Sequence, residues 1–194
     1  MTWTADRCYR EGLDFFSAQV DAIGSGDWSL PSPCQGWTAL DVLGHVGAGT
    51  RFGTALLRGE APAWNPPDGS PGQVVDGDPA QWWHAMVGPA HAAIDGVDLT
   101  EIVDSPMGKR SIGDGLSFPA IDLFVHGWDL ARAGGHDAEI PAEAVEFAHG
   151  ALDRIPADML RSPRTFGDEV PVSDDASVSD KFLAWTGRTP SRPA

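Results

Sequence analysis

Basic side chains are scarce in this chain. Thirteen Lys and Arg stand against 28 Asp and Glu, for a net charge of −15, and Lys109 and Lys181 are the only lysines. Nucleic-acid binding needs clustered cations to neutralise phosphates, and an anionic membrane surface recruits the same clusters, so both are excluded as partners. The acidic surface serves solubility and identifies no partner by itself. Cysteine is thin too: Cys8 and Cys34 lack CxxC spacing and cannot build a disulfide framework, so a reduced pair is the simplest account. Cys34 reads as a small buried residue ahead of a helix rather than a reactive thiol, because free Cys usually behaves as a small hydrophobe. No stretch approaches the ~18 apolar residues of a membrane span. The start, Met1-Thr2-Trp3-Thr4-Ala5-Asp6-Arg7, lacks the basic and apolar regions of a secretory signal, so a cytoplasmic location is expected. Also missing are GxSxG, HExxH, GxxxxGK followed by Ser or Thr, and GxGxxG after a strand, which sets aside the common hydrolase, zinc-protease and nucleotide-binding motifs.

What is present suits one folded domain. The 194 residues are 42% hydrophobic and include eight Trp, enough for a sizeable core without covalent staples. There is no internal repeat and no long low-complexity tract. A first helix is expected over 4–23, where Cys8, Leu13, Phe16 and Val20 form an apolar stripe that ends at Gly24-Ser25-Gly26. A second begins at Thr38, whose side chain can cap it with Asp41 three residues on. Its Leu40, Leu43, Val46 and Leu56 or Leu57 supply an apolar face, and Gly44, Gly47, Gly49 and Gly53 predict close packing against neighbours. Residues 59–78, rich in Pro and Gly, read as a long loop and a rim or lid for a site. A third helix spans 79–95, kinked or divided at Gly88-Pro89. Residues 99–112 form a short extended pair around Met107-Gly108-Lys109. A fourth helix over 117–133 is apolar nearly all round through Phe118, Ile121, Leu123, Val125, Trp128 and Leu130, as a central helix should be. Pro141 opens a fifth helix to about 155, and a short helix near 177–186 lies in the Pro- and Asp-rich tail. The expected organisation is a helical bundle over 1–156 with an extension over 157–194 packed on it.

The chemistry concentrates in Asp122-Leu123-Phe124-Val125-His126. Asp and His four apart share one helix face, and a carboxylate among apolar neighbours needs a cation or a donor. His45, between Leu43 and Val46, is a second polar residue on an apolar face. These residues are either a hydrogen-bonded pair with a separate histidine, or a two-His, one-carboxylate set suited to Zn²⁺ or another first-row ion with positions left open. His84 and His91, seven apart across Gly88-Pro89, read as surface histidines, and His136 and His149 have no partner legible in the sequence. Trp128 reads as core. Asp129 either orients a ligand from behind or pairs with Arg132, the second being favoured.

At these residues the chain resembles a known family. Ser32-Pro33-Cys34-Gln35-Gly36-Trp37-Thr38, running on to Leu43-Gly44-His45, is similar to the signature of the mycothiol-dependent maleylpyruvate isomerase N-terminal domain, of the DinB-like superfamily of metal-binding four-helix bundles. The run from Asp122 to Gly134, and the ending Phe166-Gly167-Asp168-Glu169-Val170-Pro171-Val172 with Leu183 to Arg188, resemble a related actinobacterial group described only as metal-binding. The resemblance implies a mainly α, DinB-like four-helix bundle with a metal held by His45, Asp122 and His126. Zinc stands first, with nickel, iron or manganese acceptable to the same donors. It further implies a metal-dependent transferase or isomerase that uses a low-molecular-weight thiol, mycothiol, on a small electrophile. A metal-dependent hydrolase and a non-catalytic metal- or ligand-binding protein are the alternatives. No catalytic residue beyond the metal ligands is assigned. Bundles of this type often pair along helices into homodimers. The isomerase carries Glu where this chain has Asp122, and it has a fuller C-terminal domain.

Overall fold

Local capping signals set where the helices start, and packing decides how far they run. The computed structural model describes residues 3–60, 70–104, 108–161 and 165–190. Two compact units divide the chain, Thr4–Ala138 and, together with Trp3, the part from Glu139 onward.

In the first unit, α1 (Ala5–Ile23) buries Cys8, Tyr9, Leu13, Phe16 and Val20, and stops where Gly24 takes φ 53°. Helix α2 (Ala39–Leu57) opens on the expected capping box. The Thr38 hydroxyl accepts from the Asp41 N–H (3.2 Å), and Asp41 Oδ2 accepts from the Thr38 N–H (3.0 Å). The other Asp41 oxygen accepts from the Gly72 N–H at 3.0 Å, which ties a 3-10 turn, Pro71–Val74, onto the start of α2.

Glycine on α2 permits this approach. A Cβ on Gly44 would lie 2.2 Å from the Pro71 carbonyl oxygen, and one on Gly47 would lie 2.3 Å from the Trp82 ring. Residues 61–69, most of the expected rim, lie outside the described residues.

Helix α3 (Pro79–Ala93) runs undivided through Gly88-Pro89. Proline's ring clashes with the Cβ of a preceding helical residue, and Gly88 has none. Strands β1 (Ile102–Val103) and β2 (Arg110–Ser111) pair antiparallel, with Ile102 opposite Ser111, as the expected extended pair. Of its expected turn, Met107 lies outside the described residues. Helix α4 (Ile112–Ala133) starts earlier than residue 117, because Ser111 accepts from the Asp114 N–H (3.0 Å) and caps a turn in which Ile112 and Leu116 are already buried.

Helix α4 packs on α1 and α2, and α3 packs on the same two, which closes a four-helix bundle. Its polar demands are met across helices. The fully buried Trp83 indole donates to Ser17 Oγ (2.9 Å), and Tyr9 Oη donates to the Thr50 carbonyl (3.2 Å). His84 and His91 reach Asp21 and Asp14 at 2.8 and 3.1 Å, pinning α3 to α1 as exposed pairs, and His136 meets Gln19 at 3.0 Å.

The second unit holds α5 (Ala142–Leu152), α6 (Ala157–Leu160) and α7 (Val178–Trp185). Pro141 is the N-cap of α5 rather than its first helical residue. Helix α5 belongs to this unit. His149 packs edge-on against Phe182 and Trp185, so it is a core contact between α5 and α7. Among the described residues, no helix is long and apolar enough to cross a membrane.

Candidate metal centre

The loop before α2 is built as a positioning device. Ser32 N–H donates to the Trp37 carbonyl (2.9 Å), and its hydroxyl donates to the same oxygen while accepting from the Cys34 N–H. The Trp37 N–H closes back on the Cys34 carbonyl at 3.0 Å. This four-residue turn needs a positive φ at its third position, and Gly36 supplies φ 78°. The next residue, Thr38, is already the cap of α2. Cys34, Trp37 and His45 are therefore placed by one continuous, internally bonded stretch.

Across from it, α4 presents Asp122, His126 and Asp129 at spacings of four and three residues, on one side of the helix. Each of His45, Asp122 and His126 offers a ligand atom within 4.8 Å of the others. The structure thus brings together the three residues singled out in the sequence. His45 Nε2 lies 3.5 Å from Asp122 Oδ2. That is long for a hydrogen bond and close to the edge of a tetrahedron with bonds of ~2.0–2.1 Å, which is about 3.4 Å. Two imidazoles and a carboxylate are donors suited to a first-row divalent ion, and the His45–Asp122 separation is one that such an ion would span. The His45 and Asp122 side chains are 19% and 28% exposed, so the centre is reachable from solvent, whereas His126 forms its inner wall at 8%.

Burial holds the His126 pKa below its ordinary value. The Asp129 hydrogen bond and the Asp122 and Asp129 charges pull upward and the His45 charge pulls down, but burial prevails. Trp37 covers the pair of imidazoles, with ring centroids 5.0 Å from His45 and 6.1 Å from His126, and the two imidazoles meet edge-on at 4.8 Å.

A second cluster adjoins the first. Cys34 Sγ donates to Asp129 Oδ2 at 3.1 Å and lies 3.7 Å from His126 Nδ1, which is itself 2.9 Å from the same Asp129 oxygen. Two sequence expectations change here. The favoured Asp129–Arg132 ion pair gives way, since Arg132 turns to Asp137 (2.7 Å) and stacks over Trp128 (5.3 Å). Cys34 is half-buried and hydrogen-bonded at the site, not an inert core residue. The signal available in sequence was the i, i+3 spacing of His126 and Asp129.

Residues 9–131 match the family described as mycothiol maleylpyruvate isomerase N-terminal domain. The chain belongs to that family. Two uncharacterized proteins of Mycobacterium tuberculosis, one each from strains CDC 1551 / Oshkosh and ATCC 25618 / H37Rv, are 26% identical to it over 182 residues, covering 93% of this chain and 96% of theirs. Among solved structures, the mycothiol-dependent maleylpyruvate isomerase superposes with a TM-score of 0.54 at 16% identity, and a histidine-to-alanine mutant of the same enzyme with 0.55 at 15%. These alignments cover 74% of this chain and 65% of the isomerase, so the chain spans less than two thirds of that enzyme. The likeness establishes the fold: mainly α and DinB-like.

Proposed function

We propose that this member of the mycothiol maleylpyruvate isomerase N-terminal domain family binds one divalent metal ion at His45, Asp122 and His126, zinc foremost. We infer that it uses a low-molecular-weight thiol, mycothiol, in a transferase or isomerase reaction on a small electrophile. The observation that carries this reading is the convergence of two imidazoles and a carboxylate at a solvent-reachable centre. When bound, such an ion lowers the pKa of a thiol ligand and acts as a Lewis acid, supplying a nucleophile at neutral pH.

The chain's own residues do the rest. Burial keeps His126 in the neutral, ligating form. The Asp122 carboxylate brings negative charge toward the ion, and its exposure with His45 leaves one side of the centre open to incoming molecules. Trp37 packs beside both imidazoles. Maleylpyruvate isomerisation itself is not carried over, because the match spans 65% of the isomerase.

Elemental analysis of purified protein beside His126→Ala is the first test, with stoichiometric metal expected in the parent and lost in the variant. Equal metal content in both would remove the site. With metal present, mycothiol and monochlorobimane should conjugate faster than the thiol-only control, and a chelator should abolish the gain. No gain would leave a metal-binding protein or a hydrolase and discard the thiol-dependent reading.

A further inference from the structure

The residue whose environment asks for most explanation is Asp129. Its side chain is wholly buried, 0% exposed, in a helix lined with apolar neighbours. A buried carboxylate is costly unless donors hold it, and the nearby guanidinium of Arg132 is committed to Asp137 and Trp128. The donors at Asp129 Oδ2 are instead the Cys34 thiol and His126 Nδ1.

We propose that Asp129 and Cys34 form an outer tier that fixes His126 as its Nδ1–H tautomer, leaving Nε2 as the ring nitrogen presented for coordination with His45 and Asp122. Both are positioning residues that act through His126. Toward the metal, the assignment rests on the reading given under Proposed function; the tautomer stands on the hydrogen-bond geometry alone.

The argument is one of proton accounting. A contact of 2.9 Å between a ring nitrogen and a carboxylate oxygen requires a proton between them, and with Asp129 ionised that proton sits on the imidazole. A neutral imidazole has a single N–H, so placing it on Nδ1 strips Nε2. Carboxylate support of this kind raises the basicity of the ligating nitrogen and fixes the ring plane. Cys34 completes the tier from outside the helix. Its thiol arrives on the Ser32–Trp37 turn and meets the same oxygen at 3.1 Å, with a longer 3.7 Å contact to the imidazole nitrogen, so its main hold is on the carboxylate. A thiol is a weak donor, which leaves most of the carboxylate's pull on the imidazole. The turn before α2 thereby reaches His126 on α4 through the Asp129 carboxylate.

Two measurements on the full-length chain test this. In metal-free protein labelled with ¹⁵N-histidine, the His126 signals, assigned by their loss in His126→Asn, should report Nδ1–H in the parent and in Asp129→Asn, whose amide oxygen still accepts. Asp129→Ala should shift the population toward Nε2–H. In chelator competition, zinc affinity should fall by about 10- to 100-fold in Asp129→Ala and by less in Asp129→Asn. Cys34→Ala should weaken zinc binding, and Cys34→Ser, which keeps a donor, should recover it.

A parent protein with Nε2–H at His126 would overturn the proposal, and so would Asp129→Ala with unchanged tautomer and affinity. If Asp129→Ala does not fold, Asp129→Asn and the Cys34 pair carry the test: recovery in Cys34→Ser supports the outer tier, and equal affinity in both Cys34 variants removes Cys34 from it. A parent that binds no zinc would end the metal reading while the tautomer measurement still decides this one.

Discussion

Replacing Gly44 with Ala should damage this protein more than its chemistry suggests. In an open helix the change is favourable by about 1 kcal/mol, because glycine has the larger entropy to lose. Here the new methyl would sit 2.2 Å from the Pro71 carbonyl oxygen, 2.6 Å from its carbon and 2.9 Å from the Gly72 nitrogen. All three are backbone atoms with no rotamer to yield, and normal carbon contacts are about 3.5–4.0 Å, so the 3-10 turn must retreat by roughly 1 Å. Overpacking of this kind costs about 1–3 kcal/mol. The retreat also strains the Gly72 N–H bond to Asp41, a charge-assisted bond worth about 1.5–3 kcal/mol. Set against the helix gain, the net is a loss of about 1.5–5 kcal/mol. For a chain of this size that lowers Tm by roughly 3–20 °C. Gly150→Ala is the internal control: it lies exposed in α5 with nothing within 4 Å of a Cβ and should hold or raise Tm. Thermal unfolding followed by circular dichroism reads both. A Gly44→Ala protein as stable as its parent would refute the claim that backbone closeness fixes this crossing.

Two further outcomes follow from titrating groups away from the centre. Burial raises the Asp41 pKa, but the Thr38 N–H, the Thr38 hydroxyl and the Gly72 N–H outweigh it, and the folded value lies below the ordinary one. A depressed carboxylate gives stability that is complete above its unfolded pKa, about 3.9, and is lost as pH falls through the folded value. The Tm gap between the parent and Asp41→Asn should therefore be constant near neutrality and shrink on acidification, and a gap that widens in acid would contradict it. Cys8 is fully buried, and burial, with a smaller contribution from Glu11, pushes its thiol up to about 12. In Cys34→Ser protein a thiol reagent should label Cys8 only on denaturation, and rapid native labelling would show that α1 opens.

Much of this architecture is local, and local features are legible. The Thr38/Asp41 box, the Gly24 stop and the period of Cys8, Leu13, Phe16 and Val20 each report on a neighbour within a turn or two of chain. Asp122 and His126 stand out for the same reason, being polar residues one turn apart in an apolar helix. Breakers misled where tertiary packing overrode them: Gly113, Gly115 and Pro119 concealed the first turns of α4, and Gly88 reconciled Pro89 with an unbroken α3. The outer tier lay beyond reach because Cys34 and Asp129 are 95 residues apart and meet only when the loop before α2 crosses α4. Asp129 therefore looked like a partner for Arg132, its nearest opposite charge along the chain.

The unbroken run from the Ser32–Trp37 turn through the Thr38 cap has a consequence for how this protein can vary. His45 lies seven positions beyond the cap, and each step along a helix rotates the side chain by about 100°. One insertion or deletion in that interval would swing the imidazole to another side of α2 while the thiol and indole upstream stayed put. Length here is as constrained as residue identity, and a ruler of fixed span, rather than any single ligand, keeps the two halves of the centre in register.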